Sequence, residues 1–263
     1  MKLGIITDIH GNLVALKSVL SKFEKENIDK IICCGDIIGI GPCPEETIKL
    51  LLKYKGKVIA VKGNHEQYLL DGLPQRVHGN RRKMNPEEIK NHEWTKTQVS
   101  ETSTKFLKGL PIYSKIEIEG KRIYIIHYPI DKNGEYIKYN KNAATKENEE
   151  IFNGIQADIF VYGHTHAISV NNNENKWYIN PGSLGCPSSS EVANAGILTV
   201  NKDKIEYEQL YVKYDVEEVK KEINNKKYPF YKEILKIFME MNRINAINHV
   251  TRVEKNRKNQ KEW

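Results

Sequence analysis

Five short segments of this chain set acid, amide or imidazole side chains just past apolar runs: Asp8-Ile9-His10, Gly35-Asp36, Gly63-Asn64-His65-Glu66, His127 and Gly163-His164-Thr165-His166. Almost every one follows a stretch that reads as a buried strand, so the polar groups collect at one rim of a sheet. Five of the eight histidines fall inside these segments. The pattern demands a sheet-based fold whose strand ends converge, and it gathers hard oxygen and nitrogen donors at the spacing of a two-metal site.

The rest of the chain supplies such a fold. Residues 2–7 read as a strand and Leu13–Lys25 as an amphipathic helix, with Leu13, Leu16, Leu20 and Phe23 at helical spacing. Residues 30–34 read as a second strand. Pro44, with Glu45 and Glu46 in the first turn, opens a helix to about residue 54, and 57–61 read as a third strand. This βαβαβ order implies a parallel sheet with right-handed crossovers. Residues 66–110 are polar and mostly helical, with a start signal at Pro86-Glu87-Glu88 and a stop at Leu110-Pro111, and read as a helical insertion beside the polar rim. A hairpin over 112–118 and 122–127 turns at Glu119-Gly120. Residues 130–142 read as a surface loop. A helix at 146–152 precedes a strand at 158–162, and further strands are expected at 167–171, 177–179, 196–201 and 205–212. Asp215 caps a helix to about Ile223, and 229–241 form a last amphipathic helix. Two βαβ-like halves, each ending in strands, point to a four-layer αββα sandwich: two mixed β-sheets face to face, with helices outside. The expected division is 1–212 for the sandwich, including the insertion, and 213–263 for a C-terminal helical extension with a basic tail.

Composition narrows the setting. The length of 263 residues suits one large domain or one with a small appendage. No apolar run reaches eighteen residues, so no transmembrane helix is expected. Residues 1–7 run straight into Asp8 and read as a first strand, not a signal peptide. Cys33, Cys34, Cys43 and Cys186 show no framework spacing, and Cys33 and Cys34 point to opposite strand faces, so a reducing cytoplasm is expected. The net charge is +7, of which the segment from Arg243 onward carries +4: Arg243, Arg252, Lys255, Arg257, Lys258 and Lys261 against Glu254 and Glu262. This segment reads as a solvated tail, with a nucleic-acid or acidic-surface contact as the other reading. Nothing in the chain indicates an oligomeric state.

The chemistry follows from donor types and spacing. Asp8 and His10 are two apart at a strand end, so their side chains point the same way and can grip one ion. His164 and His166 repeat that geometry. Asp36 has two carboxylate oxygens and can bridge two cations. Asn64 offers a neutral amide oxygen and His127 another nitrogen. Imidazole with oxygen donors suits Mn²⁺, Fe, Zn²⁺, Co²⁺ or Ni²⁺ better than Ca²⁺; two such divalent transition-metal ions are expected, with manganese first. Two ions about 3.5–4 Å apart can share a water, lower its pKa and hold phosphate oxygens. His65, next to Asn64, points into the same pocket and can serve as general acid to the leaving alkoxide; Glu66 can orient it or cap the next helix.

These motifs resemble those of the calcineurin-like metallophosphoesterases. The residues from Gly35 to Glu45, Trp94-Thr95 with Leu110-Pro111, and the run Asn180-Pro181-Gly182-Ser183-Leu184-Gly185 are similar to one bacterial and archaeal branch of predicted phosphoesterases. The resemblance covers about residues 1–212. It implies Asp8, His10, Asp36 and His166 on one metal, Asp36, Asn64, His127 and His164 on the other, His65 as proton donor, and the turn from Asn180 to Ser183 as backbone support. Two places depart from relatives. Protein Ser/Thr phosphatases of the superfamily carry Gly-Asp-x-x-Asp-Arg-Gly, and here Gly39 and Ile40 replace the Asp and the phosphate-clamping Arg. His127 is followed by Tyr128-Pro129 where many relatives have Gly-Ser or Gly-Thr, and Tyr128 is expected to narrow or line the pocket.

The expected function is therefore metal-dependent hydrolysis of phosphomono- or phosphodiesters of a small molecule or nucleotide. A hydroxide activated by the two metals attacks phosphorus, and His65 is the acid. The alternatives are a nuclease, suggested by the basic tail and the Lys/Arg content of 121–141, and a non-catalytic scaffold on the same fold, against which the complete donor set argues. Cys43 and Cys186 read as inert small residues. His78, His92 and His249 read as solvated, Tyr136 and Tyr139 as ordinary loop aromatics, and Trp94 as packing.

Overall fold

The structure, a computed structural model, describes residues 1–76, 82–132, 134–138, 140, 143–173, 175–186 and 192–236. The basic tail from Arg243 with His249, the end of the last expected helix at Met241, and His78 and Tyr139 lie outside these residues.

Two five-stranded sheets form the centre. The first has the order β10-β9-β1-β2-β3, with β1 (Lys2–Ile6), β2 (Lys30–Cys33) and β3 (Val58–Ala60) parallel, and β9 (Val192–Val200) antiparallel to β1 and to β10 (Ile205–Lys213). The second has the order β4-β5-β6-β8-β7. There β5 (Lys121–Ile126), β6 (Ile159–Val161) and β8 (Trp177–Pro181) are parallel, and β4 (Tyr113–Ile118) and β7 (Ile168–Asn172) are antiparallel edges. Both sheets are mixed, as expected. The halves are less separate than the sequence order suggests, because the last hairpin, β9–β10, returns to the first sheet.

Side-chain alternation explains the layers. In β1, Leu3 and Ile5 face the second sheet, where they meet Ile123, Ile125, Ile159, Val161 and Ile179. Gly4 and Ile6 face the helical layer, and a side chain at Gly4 would overlap the Phe23 ring. The same parity sends Cys33 to the helix side and Cys34 between the sheets; all four cysteines are free and buried. Helices α1 (Leu13–Lys25) and α2 (Pro44–Lys53) cover the first sheet with Leu16, Val19, Leu20, Ile48 and Leu51. Phe152, just past α6 (Thr145–Ile151), covers the second with Tyr124, Phe160 and Tyr178. Asn12 caps α1 by accepting from the Ala15 N–H at 3.1 Å.

The segment expected as an insertion, 66–110, holds most of α3 (Asn64–Asp71), together with α4 (Pro86–Gln98) and α5 (Glu101–Gly109). Asp215 caps α7 (Val216–Lys226) by accepting from the Glu218 N–H. The β4–β5 turn has Glu119 at φ 53° and Gly120 at φ 75°, the left-handed pair that suits a two-residue hairpin. Strand β9 starts at Val192 rather than Gly196. The glycine is no boundary, because the Tyr207 ring covers its open face. Among the described residues no helix is long and apolar enough to cross a membrane.

Truncating the inter-sheet core tests this packing. Ile5→Ala should lower unfolding stability by about 2–5 kcal/mol in urea titration; a loss below about 1 kcal/mol would contradict a close-packed junction of the sheets at β1.

Candidate metal centre

The five segments meet at the carboxyl ends of the parallel strands. Local backbone geometry brings them there. Asp8, His10, Asp36, His164 and His166 all have positive φ, between 50° and 68°, a region costly for most L-residues and less so for Asp and His. Each chain thus turns sharply at the strand end and aims its side chain across the rim. Hydrogen bonds between loops fix the turns. The Asp8, His10 and Gly11 amides donate to the Gly35, Asp36 and Ile37 carbonyls at 2.9–3.0 Å, the Gly163 amide donates to the His127 carbonyl at 2.8 Å, and the Gly185 amide donates to the Asp8 carbonyl at 2.9 Å.

Glu66, fully buried, ties two loops together. Its carboxylate accepts from the backbone N–H groups of Gly63 (2.7 Å), Asp36 (2.8 Å), Ile37 (2.8 Å) and Ile38 (3.2 Å). It is thus half of a capping box for α3, where Gly63 has no side chain for the other half, and it also clamps the Asp36 loop. Burial and the nearby Asp36 carboxylate push Glu66 up to about 7, opposed by the backbone donors. Of the two roles expected for Glu66, capping is the one its contacts show.

The donors form two adjoining sets. In one, His10 Nε2 is 2.9 Å from His166 Nε2, His166 Nε2 is 3.4 Å from Asp8 Oδ1, and His10 Nε2 is 3.8 Å from Asp36 Oδ2. In the other, Asn64 Oδ1 is 3.0 Å from His127 Nε2 and 2.9 Å from His164 Nδ1, and His127 Nε2 is 3.3 Å from Asp36 Oδ2. Donors about 2.1 Å from a shared ion lie about 3.0–3.4 Å apart, so these spacings fit cations. Asp36 belongs to both sets. Among the described residues, three Asp/His clusters could each hold a metal ion: Asp8 with His10 and His166, Asp8 with Asp36 and His127, and His10 with Asp36 and His65.

Protonation favours the same use. His127 Nδ1–H donates to the Cys34 carbonyl at 2.7 Å and His10 Nδ1–H to the Ile38 carbonyl at 3.3 Å, so both Nε2 atoms face the site. Burial and neighbouring histidines hold His10 down at about 4 and His164 at about 3. Burial works to raise Asp8 and Asp36, but adjacent imidazoles, His166 for Asp8 and His127 for Asp36, hold both carboxyls below their ordinary range. Burial acts most strongly against a charged His127, yet the Asp36 and Asp8 carboxylates and the Cys34 carbonyl together overcome it and raise the imidazole to about 9. A cation bound here takes the place of the acidic proton on such an imidazole, so metal binding at this site is favoured as pH rises.

The structure brings together Asp8, His10, Asp36, Asn64, His65, His127, His164 and His166. His65 Nε2 is 4.0 Å from Asp36 Oδ2, and its ring packs so closely on Gly39 (φ 85°) that a side chain at Gly39 would overlap it. The turn from Asn180 to Ser183 supports the rim: Asn180 Nδ2 donates to the Gly163 carbonyl at 2.9 Å and Ser183 Oγ to the Asp8 carbonyl at 2.8 Å. Burial pushes Cys186 up to about 12 and Cys43 to about 11, so neither presents a thiolate.

Three expectations fail. Tyr128 is 1% exposed and packs in the outer core under His164, ring centroids 5.4 Å apart, instead of lining the cleft. Tyr136 is no ordinary loop aromatic: it stacks on His164 at 5.0 Å and 15°, and its hydroxyl donates to Gln67 Oε1 at 2.9 Å. His92 is half-buried with its ring 5.1 Å from that of His65, and burial lowers its pKa. No local pattern marked these residues; the one available signal was the aromatic content of the loop after His127. Trp94 does serve packing, stacked on Tyr228 at 4.4 Å.

Comparisons with known proteins bear on the family and the fold. A family model described as the calcineurin-like phosphoesterase superfamily domain matches residues 1–203. An uncharacterized protein of Methanocaldococcus jannaschii is 28% identical over 86% of this chain and 93% of its own. Phosphodiesterase YfcE of Escherichia coli is 24% identical over 75% of this chain and 87% of its own. Among solved structures, a metallophosphoesterase from Sphaerobacter thermophilus has a TM-score of 0.69 at 24% identity, over 92% of this chain and 99% of that one. A hypothetical protein from Pyrococcus horikoshii reaches 0.77 at 21% identity, over 90% and 97%. These two structures show the shared fold.

Replacing the anionic clamp should loosen the rim. Glu66→Gln turns an acceptor toward a donor among backbone N–H groups, and chemical denaturation should show a loss of about 2–3 kcal/mol. An unchanged midpoint would contradict the clamp.

Proposed function

The chain belongs to the calcineurin-like phosphoesterase superfamily and is a hydrolase of the metallophosphoesterase type, and from this premise we propose that it cleaves phosphomono- or phosphodiesters of small molecules or nucleotides at a dinuclear centre. The observation that carries the reading is the pair of donor sets sharing Asp36. In this reading Asp8, His10, Asp36 and His166 hold one divalent transition-metal ion, and Asp36, Asn64, His127 and His164 hold the other. Nitrogen and oxygen donors without thiolates suit manganese, iron, zinc, nickel or cobalt with no strong preference among them, and manganese is the metal this reading takes first. When bound, the two ions supply activation of water and neutralisation of charge building on the phosphate.

The protein's own groups do the rest. Asp36 orients the donors of both sets, and its Oδ1 accepts the His65 backbone N–H at 2.9 Å, which aligns the start of α3 with the site. Burial holds His65 well below its usual pKa in the free site, partly offset by Asp36. An anionic ester arriving beside it favours the imidazolium, so His65 gains a proton with the substrate and gives it to the leaving oxygen. Gly39 leaves room for that ring. Two curated relatives named as phosphodiesterases, from Escherichia coli and Methanocaldococcus jannaschii, support diester cleavage as one activity. The four free, buried thiols support a cytoplasmic setting. Residues 1–212 would form the catalytic unit, with 213–263 as an extension.

Bis(p-nitrophenyl) phosphate and p-nitrophenyl phosphate, assayed with Mn²⁺, test the reading. The wild type should hydrolyse at least one of them. Asp36→Ala should abolish turnover, and His65→Ala should lower kcat on an alkyl ester by about 10²–10⁴. Full activity in either variant would overturn the assignment of that residue.

A further inference from the structure

Beside the donor sets lies a cleft of about 200 Å³, and Asn64, His65 and His164 form one of its walls. The remaining walls come from distant parts of the chain: Ile40 after the Asp36 turn, Tyr68 in α3, Met84 and His92 in the insertion, and Phe230 and Ile234 past α7. The C-terminal wall is anchored. Tyr228 stacks on Trp94 at 15°. Its hydroxyl donates to the Ile40 carbonyl at 2.8 Å, and Asn91 Nδ2 donates to the Pro229 carbonyl at 2.9 Å. Between these anchors and the cleft, Phe230 has φ 70°, rare for a bulky residue and sustained only where the surroundings impose it.

The exposed surface of this lining is mainly apolar, from Ile40, Tyr68, Met84, Phe230 and Ile234, with Asn64, Asn91 and three imidazoles among its polar groups. Its two oppositely charged side chains, Arg82 and Glu88, engage each other through two hydrogen bonds of 2.6 and 2.7 Å. The volume falls below the roughly 300–1,000 Å³ of pockets for drug-sized ligands, which suits one ring system.

We propose that this cleft receives the alcohol part of the substrate, and that the substrate class is phosphate esters of small alcohols carrying one compact, uncharged aromatic or apolar ring. The inference rests on the phosphoesterase reading above. His65 stands between the donor sets and the apolar walls, so the scissile ester oxygen faces the cleft. In the hydrolysis, a water oxygen bonds to phosphorus as the water gives one proton to solvent, from which His65 is later reprotonated, and the P–O ester bond breaks. The electron pair leaves on the alcohol oxygen, which takes the His65 proton. The neutral alcohol departs through the cleft, and phosphate or a phosphomonoester remains at the donor sets.

Benzyl and methyl esters separate ring recognition from leaving-group reactivity, since both leave as alkyl alcohols. The experiment compares kcat/KM for benzyl phosphate against methyl phosphate, and for benzyl methyl phosphate against dimethyl phosphate, with the full metal-loaded chain. The wild type should prefer the benzyl member of at least one pair by about tenfold or more, as expected when an apolar pocket is filled. Phe230→Ala should shrink that preference at least fivefold. In parallel, benzyl alcohol titrated into the Zn²⁺-loaded chain with ¹³C-methyl methionine should shift the Met84 methyl resonance saturably, while glycerol should not. This second measurement does not depend on the variant folding. Equal efficiency on benzyl and methyl esters, or an unmoved Met84 methyl, would overturn the pocket alone. Cleavage of none of the four esters while the nitrophenyl esters are still hydrolysed would also overturn the pocket alone, and cleavage of neither set would overturn the phosphoesterase reading with it.

Discussion

The Glu66 carboxylate accepts backbone hydrogen bonds from Gly63, Asp36, Ile37 and Ile38, joining the start of α3 to the turn after β2. Asp36 sits on that turn in a left-handed backbone conformation, as do Asp8, His10, His164 and His166 on theirs. Such conformations cost about 1 kcal/mol or more each, and five of them together rival the net stability of a domain. They persist because neighbouring loops hydrogen-bond to one another across the rim and because the strands that carry them are packed between two apolar layers. The site therefore depends on the sandwich for its shape, and the Glu66 clamp passes that rigidity to the residue shared by both donor sets.

The loop after Asp36 also ties the centre to its surroundings. Protein phosphatases of this superfamily place an acid and an arginine where this chain has Gly39 and Ile40. Here Gly39 gives His65 its packing surface, and the Ile40 carbonyl receives the Tyr228 hydroxyl. One short turn thus contributes to the donor sets, seats the general-acid candidate and docks the C-terminal segment. The insertion and that segment face each other over the cleft, linked by the Trp94–Tyr228 stack.

Much of this was readable from sequence because local rules and tertiary demands agree. The run from Leu3 to Ile6 alternates between two buried faces and ends on Thr7 and Asp8, so the strand and the carboxylate at its end could be read together. The parity of Cys33 and Cys34 was readable for the same reason. The donor set was recognisable because strongly polar residues directly after buried strands have few structural explanations. Tyr136, His92 and Phe230 were not readable. Tyr136 reaches Gln67 across 69 positions, and Phe230 meets the insertion through a wall built across well over a hundred residues. No helical or strand period encodes such contacts. Tyr128 misled because its neighbour His127 faces the site, while alternation along the strand turns the next side chain to the outer core. The left-handed turns left no mark either, since Asp and His are common in ordinary conformations.

The central claim is that the two donor sets, joined at Asp36, hold two ions together. The most direct measurement is metal content after dialysis against Mn²⁺, read by elemental analysis alongside isothermal titration. The wild type should retain two ions per chain, and Asp36→Asn, close in shape but without the shared negative charge, should retain markedly fewer. A wild type that holds a single ion at saturation, or an Asp36→Asn chain that still holds two with unchanged affinity, would contradict the account.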